Sequence, residues 1–320
     1  MSTVIEFDGI GKTYRSVWKG TAVCALEDFS LDVSAGEIFG FLGPNGAGKT
    51  TAIHIAMGFM RASTGRGAML GKPFGHARTR RRVGFLAENI ALYHRPAAKL
   101  IRFYGELNAM RDPLLARRVL EVLETVAMGP EGNRNVGKFS RGMQQRIGLA
   151  QALVNDPEVL ILDEPTSALD PLGRLEVREV LNAAREAGKT IFLSSHLLSE
   201  IEATCDRIAI LNKGRLVRVG KTSDLLESQN QSEIIATGYN VDIIPGAEPV
   251  EGGVRFRVRN ASQRQMIERI WAIGGEISRV NPVRRSLEEV FVELTSEPFD
   301  PDARNGNGEN TREEPKATAL

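Results

Sequence analysis

The sequence predicts an α/β fold with a mixed, mainly parallel sheet, followed by a small α+β module. Short apolar, β-rich runs such as EIFGFL at 37–42 alternate with helical patterns through the first 225 residues. Such near-continuous apolar strands are typical of a parallel sheet that helices cover on both faces. The N-terminal segments instead alternate polar and apolar residues, and the pattern changes again after residue 228.

The elements follow from these patterns in chain order. Segments 3–8 and 21–33 predict half-buried antiparallel strands, because their polar and apolar residues alternate. The parallel strands are predicted from the apolar runs at 37–42, 82–86, 158–162, 190–194 and 207–211. Helical patterns lie at 97–109, 113–127 and 172–187. We therefore expect a mixed sheet with an antiparallel β subdomain at its edge and a helical subdomain around 95–150.

The C-terminal part begins after the polar break SQNQSE. Its pattern predicts a division into a first domain at 1–228 and an α+β domain at 233–297. The last helix, SLEEVFVEL, begins with a capping box of Ser286 and Glu289. Its apolar stripe either only closes the module's own core or also packs at a dimer interface, and consists of Leu287, Val290, Phe291 and Leu294. Residues 298–320 have too few apolar side chains to offset the entropy of ordering, so we expect a disordered tail.

Composition excludes several classes of protein. The net charge of +1 argues against a dedicated nucleic-acid binder, although local patches are possible. Cys24 and Cys205 lie far apart, which argues against a disulfide framework or a zinc site. The chain has no apolar run near the length that spans a bilayer, and its start lacks signal-peptide character. The basic run RTRRR at 78–82 is either a solvated turn or a contact for anionic lipid headgroups.

A phosphate-binding loop follows the strand at 37–42. The segment GPNGAGKTT matches G-x-x-x-x-G-K-[ST], in which glycines let the backbone turn tightly and aim its amides at phosphate oxygens. The amine of Lys49 would reach the β- and γ-phosphates, and the Thr50 hydroxyl would ligate Mg²⁺. The predicted nucleotide-binding residues of this loop are Gly43, Pro44, Asn45, Gly46, Ala47, Gly48, Lys49, Thr50 and Thr51.

Two adjacent acids end another predicted strand, VLILDEP. The carboxyl ends of parallel strands meet at one edge, so Asp163 and Glu164 should lie beside the phosphate loop. Asp163 would face Mg²⁺, and Glu164 would polarise a water against the γ-phosphate as a general base. Together with the loop, these acids predict a nucleotide phosphohydrolase.

The motifs GPNGAGKTT, FSRGMQQR, LILDEPTSALDP and FLSSHLLSE, in this order and spacing, resemble the ATP-binding cassette family over about residues 3–225. The resemblance implies a P-loop NTPase cassette in which two subunits sandwich ATP head to tail. Each subunit would then complete the other's site with its signature segment, here Ser140, Arg141, Gly142 and Met143. Arg141 and Met143 replace the usual Gly and Gln. Arg141 would either add a cation near the other subunit's triphosphate or be solvated.

The resemblance also implies individual roles. Tyr14 matches the aromatic residue that stacks on adenine, and His196 matches the histidine that contacts the γ-phosphate. Glu88 stands where the family usually has Gln, and its carboxylate could still ligate Mg²⁺. The segment 167–170 matches the loop that couples the two ATP sites across the dimer.

The function expected from the sequence is that of the ATP-hydrolysing subunit of a membrane exporter. Its cofactors would be ATP and Mg²⁺, and its partners a second cassette in a homodimer and separately encoded permease subunits. The protein would be cytoplasmic and peripheral on the cytoplasmic face of the cell membrane, with no nucleic-acid partner. The alternatives are a soluble cassette ATPase that acts on a nucleic-acid or ribosomal partner, and a small-molecule kinase. The kinase would not need a signature segment.

Overall fold

The computed structural model describes residues 2–15, 22–90, 92–238 and 241–296. The predicted disordered tail at 298–320 lies outside these ranges. Within them, each helix is either too short or too polar to cross a membrane.

The elements are numbered along the chain. The strands are β1 (Thr3–Arg15), β2 (Ala22–Ser34), β3 (Ile38–Leu42), β4 (Thr64–Met69), β5 (Lys72–Pro73), β6 (Val83–Leu86), β7 (Val159–Asp163), β8 (Thr190–Ser194), β9 (Arg207–Asn212), β10 (Arg215–Lys221), β11 (Glu227–Thr237), β12 (Glu248–Val250), β13 (Gly253–Arg259) and β14 (Glu276–Arg284). The helices are α1 (Lys49–Ala56), α2 (Ala77–Arg80), α3 (Ala97–Leu107), α4 (Leu114–Thr125), α5 (Arg141–Leu153), α6 (Pro171–Glu186), α7 (Leu198–Thr204), α8 (Thr222–Leu226), α9 (Asn260–Ala272) and α10 (Leu287–Ser296).

The central sheet has six strands in the order β10-β9-β3-β8-β7-β6. Its four pairings from β9 to β6 are parallel where the apolar runs predicted parallel strands, and β10 pairs antiparallel at the edge. Strands β3, β7 and β8 are buried at every residue, which explains why their sequences are apolar without alternation. The predicted mixed α/β fold is therefore confirmed.

The predicted antiparallel subdomain is a four-stranded sheet in the order β2-β1-β4-β5. It packs on the central sheet through aromatic rings. The centroid of the Phe29 ring lies 5.0 Å from that of Phe7 within the edge sheet and 5.7 Å from that of Phe41 of β3. The predicted helical subdomain is formed by α3, α4 and the first part of α5. Helix α5 approaches β6 so closely that a Cβ on Gly84 would lie 2.0 Å from the carbonyl oxygen of Ala152. The absence of a side chain at Gly84 permits this approach.

The C-terminal sheet has the order β12-β13-β11-β14 and its own small core, which includes Ile234, Phe256 and Ile270. The polar break of the sequence is part of this sheet, since β11 begins at Glu227 directly after α8. Within β11, the hydroxyl of the buried Ser232 lies 2.7 Å from the side-chain oxygen of Asn260. The division into domains 1–228 and 233–297 remains a prediction.

The apolar stripe of α10 packs on the cassette of its own chain, a position that neither sequence-based alternative included. Leu287 and Val290 are buried in the same core as Ile201 of α7 and Leu226 of α8. The backbone amide of Leu287 also donates to the Glu202 carboxylate at 3.2 Å. The stripe lies here because the C-terminal sheet already covers its apolar face with α9, whereas α7 and α8 present apolar side chains.

This packing predicts that Leu287→Ala destabilises the protein. Leu287 is fully buried, and removing such a side chain from a core costs about 2–5 kcal/mol. For a chain of this size we expect the midpoint of thermal unfolding to fall by about 3–8 °C. Val292→Ala is the matched control, because Val292 lies on the exposed side of the same helix and its truncation should change the midpoint little. Equal midpoints for the two variants would contradict the observed docking of α10.

Candidate functional site

A cavity of about 510 Å³ opens at the carboxyl ends of β3, β7 and β8. It brings together most of the residues that the sequence analysis assigned to nucleotide and metal. These residues are Pro44, Asn45, Gly46, Ala47, Gly48, Lys49, Thr50, Thr51, Glu88, Asp163, Glu164 and His196, with Ala25 completing the wall.

The glycine-rich loop between β3 and α1 forms the floor of this cavity. Gly48 has φ 110°, and a Cβ there would lie 2.4 Å from the carbonyl oxygen of Ala25. A Cβ on Gly43 would lie 2.4 Å from the carbonyl oxygen of Leu211. Side chains at either position would therefore clash with the backbone that supports the loop. The two glycines at the ends of the motif are required by this close packing.

Lys49, the first residue of α1, folds back over the loop. Its side-chain amine donates to the carbonyl oxygen of Gly43 at 2.6 Å. Burial lowers the pKa of Lys49, and the neighbouring Glu164, Asp163 and Glu88 carboxylates act in the opposite direction. A cation is thus held inside the loop, where it faces the acidic side of the cavity.

Asp163 ends β7 opposite the start of α1. Its carboxylate accepts hydrogen bonds from the Ser194 hydroxyl and, at 3.4 Å, from the Thr50 hydroxyl. Glu88 lines the same cavity, so the side-chain oxygens near Thr50 are of the hard type that Mg²⁺ prefers. Among the described residues, no cluster of three or more His, Cys, Asp or Glu side chains could hold a metal alone. A magnesium ion here would fit the usual pattern of few protein ligands together with substrate phosphates.

Glu164 has the environment expected of a general base. It is buried, its backbone has φ 54°, and its Oε2 atom lies 2.7 Å from Nδ1 of His196. Burial raises the pKa of Glu164, and the His196 and Lys49 side chains oppose this rise. Backbone strain and a shifted pKa that occur together in a cavity are typical of catalytic positions.

Gln145 contributes to the site and was not assigned from the sequence. This side chain of α5 is buried, and its amide donates to the backbone carbonyl of Glu164 at 2.9 Å. A buried amide needs a hydrogen-bond partner, and here the partner is the strained residue itself. In sequence, Gln145 is one of two adjacent glutamines in a helix, and nothing local distinguishes it from a solvated side chain.

Gly43, Tyr14 and the signature segment are predicted site residues that do not line the cavity. The Tyr14 hydroxyl is 3.4 Å from the Thr51 hydroxyl, but the side chain is 41% exposed and does not line the cavity. The signature segment forms the beginning of α5, where the Ser140 hydroxyl accepts from the Met143 amide at 3.3 Å. Arg141 is exposed, and Gly142 packs on the loop at 167–170. A single chain therefore does not bring its signature segment to its own phosphate loop.

Comparison with known proteins agrees with this geometry. The family model for ABC transporters matches residues 26–167. An uncharacterized ABC transporter ATP-binding protein of Synechocystis is 39% identical, with 91% of this chain and 84% of the relative covered. The Nod factor export ATP-binding protein I of Cupriavidus pinatubonensis is 33% identical, with 92% of this chain and 91% of the relative covered.

A solved structure of similar fold supports the same assignment. The dimeric structure of a bacterial ABC transporter cassette is 25% identical and has a TM-score of 0.63, covering 68% of this chain and 98% of that one. The resemblance expected from the motifs is thus confirmed. The chain belongs to the ABC transporter ATP-binding proteins and is the ATP-binding, ATP-hydrolysing subunit of such a transporter.

Proposed function

We propose that this chain hydrolyses Mg-ATP in the cavity at the carboxyl ends of β3, β7 and β8, and that it powers an exporter. The observation that carries the proposal is that one cavity contains three features. They are the buried Lys49, the hydrogen-bonded oxygens of Thr50 and Asp163, which suit a metal ion, and Glu164 in contact with His196. Such a combination serves phosphoryl transfer, which depends on positioning and on stabilising charge.

Each side chain then has a defined part in the reaction. The loop amides and Lys49 bind the phosphates, and Glu164 accepts a proton from the attacking water. His196 fixes the Glu164 carboxylate through their 2.7 Å contact, and its side chain, which is more than half exposed, would contact the γ-phosphate. Thr50, Asp163 and Glu88 would hold Mg²⁺, which neutralises charge on the β- and γ-phosphates when it is bound. Tyr14 would stack on adenine at the edge of the cavity.

We further propose that a second copy of the chain completes the site. Ser140 and its neighbours lie at the beginning of α5, apart from the cavity of their own chain. The amides at this helix terminus suit a γ-phosphate held by another subunit. Arg141 is exposed there and would add a cation. The dimeric assembly of a similar cassette is consistent with this arrangement.

The membrane partner is proposed to bind the helical subdomain. Tyr93 and Leu107 are both 62% exposed, and the Tyr93 ring lies 6.0 Å from that of Phe103. An exposed aromatic and aliphatic group of this kind is typical of a protein interface. Tyr93 is five residues after Glu88, which lines the ATP cavity, so the two residues are at most about 18 Å apart along the chain. A permease bound at Tyr93 would therefore be close to the ATP site. Binding to a permease would place the protein at the cytoplasmic face of the membrane, and the export function of a relative supports an exporter.

The role of Glu164 predicts a separation of binding from turnover. Glu164→Gln removes the general base while it keeps the shape of the side chain, so ATP binding should persist and hydrolysis should fall about 10²–10⁴-fold. Equilibrium binding of a fluorescent ATP analogue and steady-state phosphate release would measure the two effects. Glu186→Gln, which changes an exposed glutamate of α6, should leave both unchanged. Most of the wild-type turnover in the Glu164 variant would refute the assignment.

The shared site predicts dimers that depend on ATP. The Glu164→Gln protein should sediment as a monomer alone and as a dimer with Mg-ATP, because slow hydrolysis preserves the nucleotide between the subunits. Adding Ser140→Arg should leave ATP binding intact and abolish the dimer, since a bulky cation would block the second subunit. A Glu164→Gln protein that stayed monomeric at saturating ATP would contradict a homodimer.

A further inference from the structure

The loop that follows Glu164 is tied to α7 by one carboxylate. Thr166, which is buried, donates its hydroxyl to Oε2 of Glu200 on α7. The Nε atom of Arg174 lies 3.3 Å from Oε1 of Glu200 and donates to the carbonyl oxygen of Leu169 at 3.0 Å. Glu200 thus contacts the beginning of the loop directly and its end through Arg174.

Helix α7 directly follows the segment that contains His196. It begins two residues after His196, and the intervening Leu197 amide donates to the Ser195 hydroxyl at 3.0 Å. Glu200 lies near the beginning of this short helix. The carboxylate of Glu200 therefore connects the segment that contains Glu164 to the segment that contains His196.

Close packing alone does not fix these two segments. A cavity of about 360 Å³ lies between α6 and α7, lined among others by Pro165, Leu181 and Leu193. The contacts of Glu200 with Thr166 and Arg174 are polar restraints at this space, and they add to the backbone amide of Glu164, which donates to the Ser194 carbonyl oxygen at 3.1 Å. These contacts are partly shielded: the exposed fractions of the Glu200 and Arg174 side chains are 22% and 35%. Such partial burial strengthens an ion pair over one at the surface.

We propose that Glu200 is a positioning residue for ATP hydrolysis. By holding the loop 165–170 against α7, it keeps the Glu164 carboxylate and the His196 ring at the separation that the reaction needs. The proposal rests on the proposed function of Glu164 and His196. It assigns Glu200 no contact with the nucleotide, so its influence should appear in the chemical step and spare nucleotide binding.

The test compares three variants of α7. Glu200→Ala removes both contacts, and we expect kcat to fall about tenfold with the KM for ATP within about twofold, since misplacement of catalytic groups lowers kcat. Glu200→Gln can still accept the Thr166 hydroxyl bond but loses the charge facing Arg174, so it should recover part of the lost kcat. Glu202→Gln is the matched control on the same helix; Glu202 faces α10, and its kcat should match that of the wild type.

Other outcomes would overturn the proposal. One is a kcat for Glu200→Ala equal to that of Glu202→Gln, and another is a loss of nucleotide affinity as large as the loss of kcat. If Glu200→Ala does not fold, Thr166→Val keeps the helix intact, removes one contact and must still lower kcat for the proposal to survive. Failure of the wider function would look different, because Glu164→Gln would then retain turnover whatever Glu200 does.

Discussion

The parallel pairing of β8 with β3 on one side and β7 on the other determines where the chemistry takes place. Ser194, the last residue of β8, lies opposite Phe41 of β3 and opposite Asp163 of β7. All three strands end within a residue of this position, β3 at Leu42, β7 at Asp163 and β8 at Ser194. The phosphate loop, the two acids and the segment that contains His196 therefore lie side by side. A change of register by one residue would turn each strand's side chains to the opposite face and separate these groups. Every residue of these three strands is buried, and their polar side chains stand only at strand ends, where Asp163 and Ser194 meet in a hydrogen bond that fits this register.

The phosphate loop and the paired acids could be predicted from the sequence because their signals are local. Gly43 and Gly48 are required by backbone contacts that the motif spacing already indicates, and Asp163 and Glu164 directly follow an apolar run. The division into a mixed central sheet and an antiparallel edge sheet was predicted for the same reason. Strands β4 and β5 were missed, since TGRGAM contains two glycines and does not alternate.

The contacts that organise the loop after Glu164 could not be predicted, because they join residues far apart in the chain. Gln145 meets the Glu164 carbonyl across 19 positions, and Thr166 meets Glu200 across 34. The partner of the α10 stripe was misjudged for a related reason. Helical periodicity shows that Leu287 must be buried, yet only the fold shows that α7 and α8 bury it. Helix α7 consequently contacts the loop after Glu164 through Glu200 and the C-terminal helix through Glu202.

In the proposed dimer, each ATP site contains the phosphate loop of one chain and the signature segment of another. Mixing two impaired variants, Lys49→Ala and Ser140→Ala, tests this arrangement most directly by measuring ATP hydrolysis, since Ser140→Ala removes the hydroxyl without adding the bulk that would block the dimer. Each variant alone has both sites of its dimer damaged. A mixed dimer pairs the intact Lys49 of one chain with the intact Ser140 of the other. If the subunits exchange freely, activity should return to about a quarter of the wild-type value, since half the dimers are mixed and each has one intact site. No activity above that of the separate variants, under conditions where the subunits demonstrably exchange, would contradict a shared site.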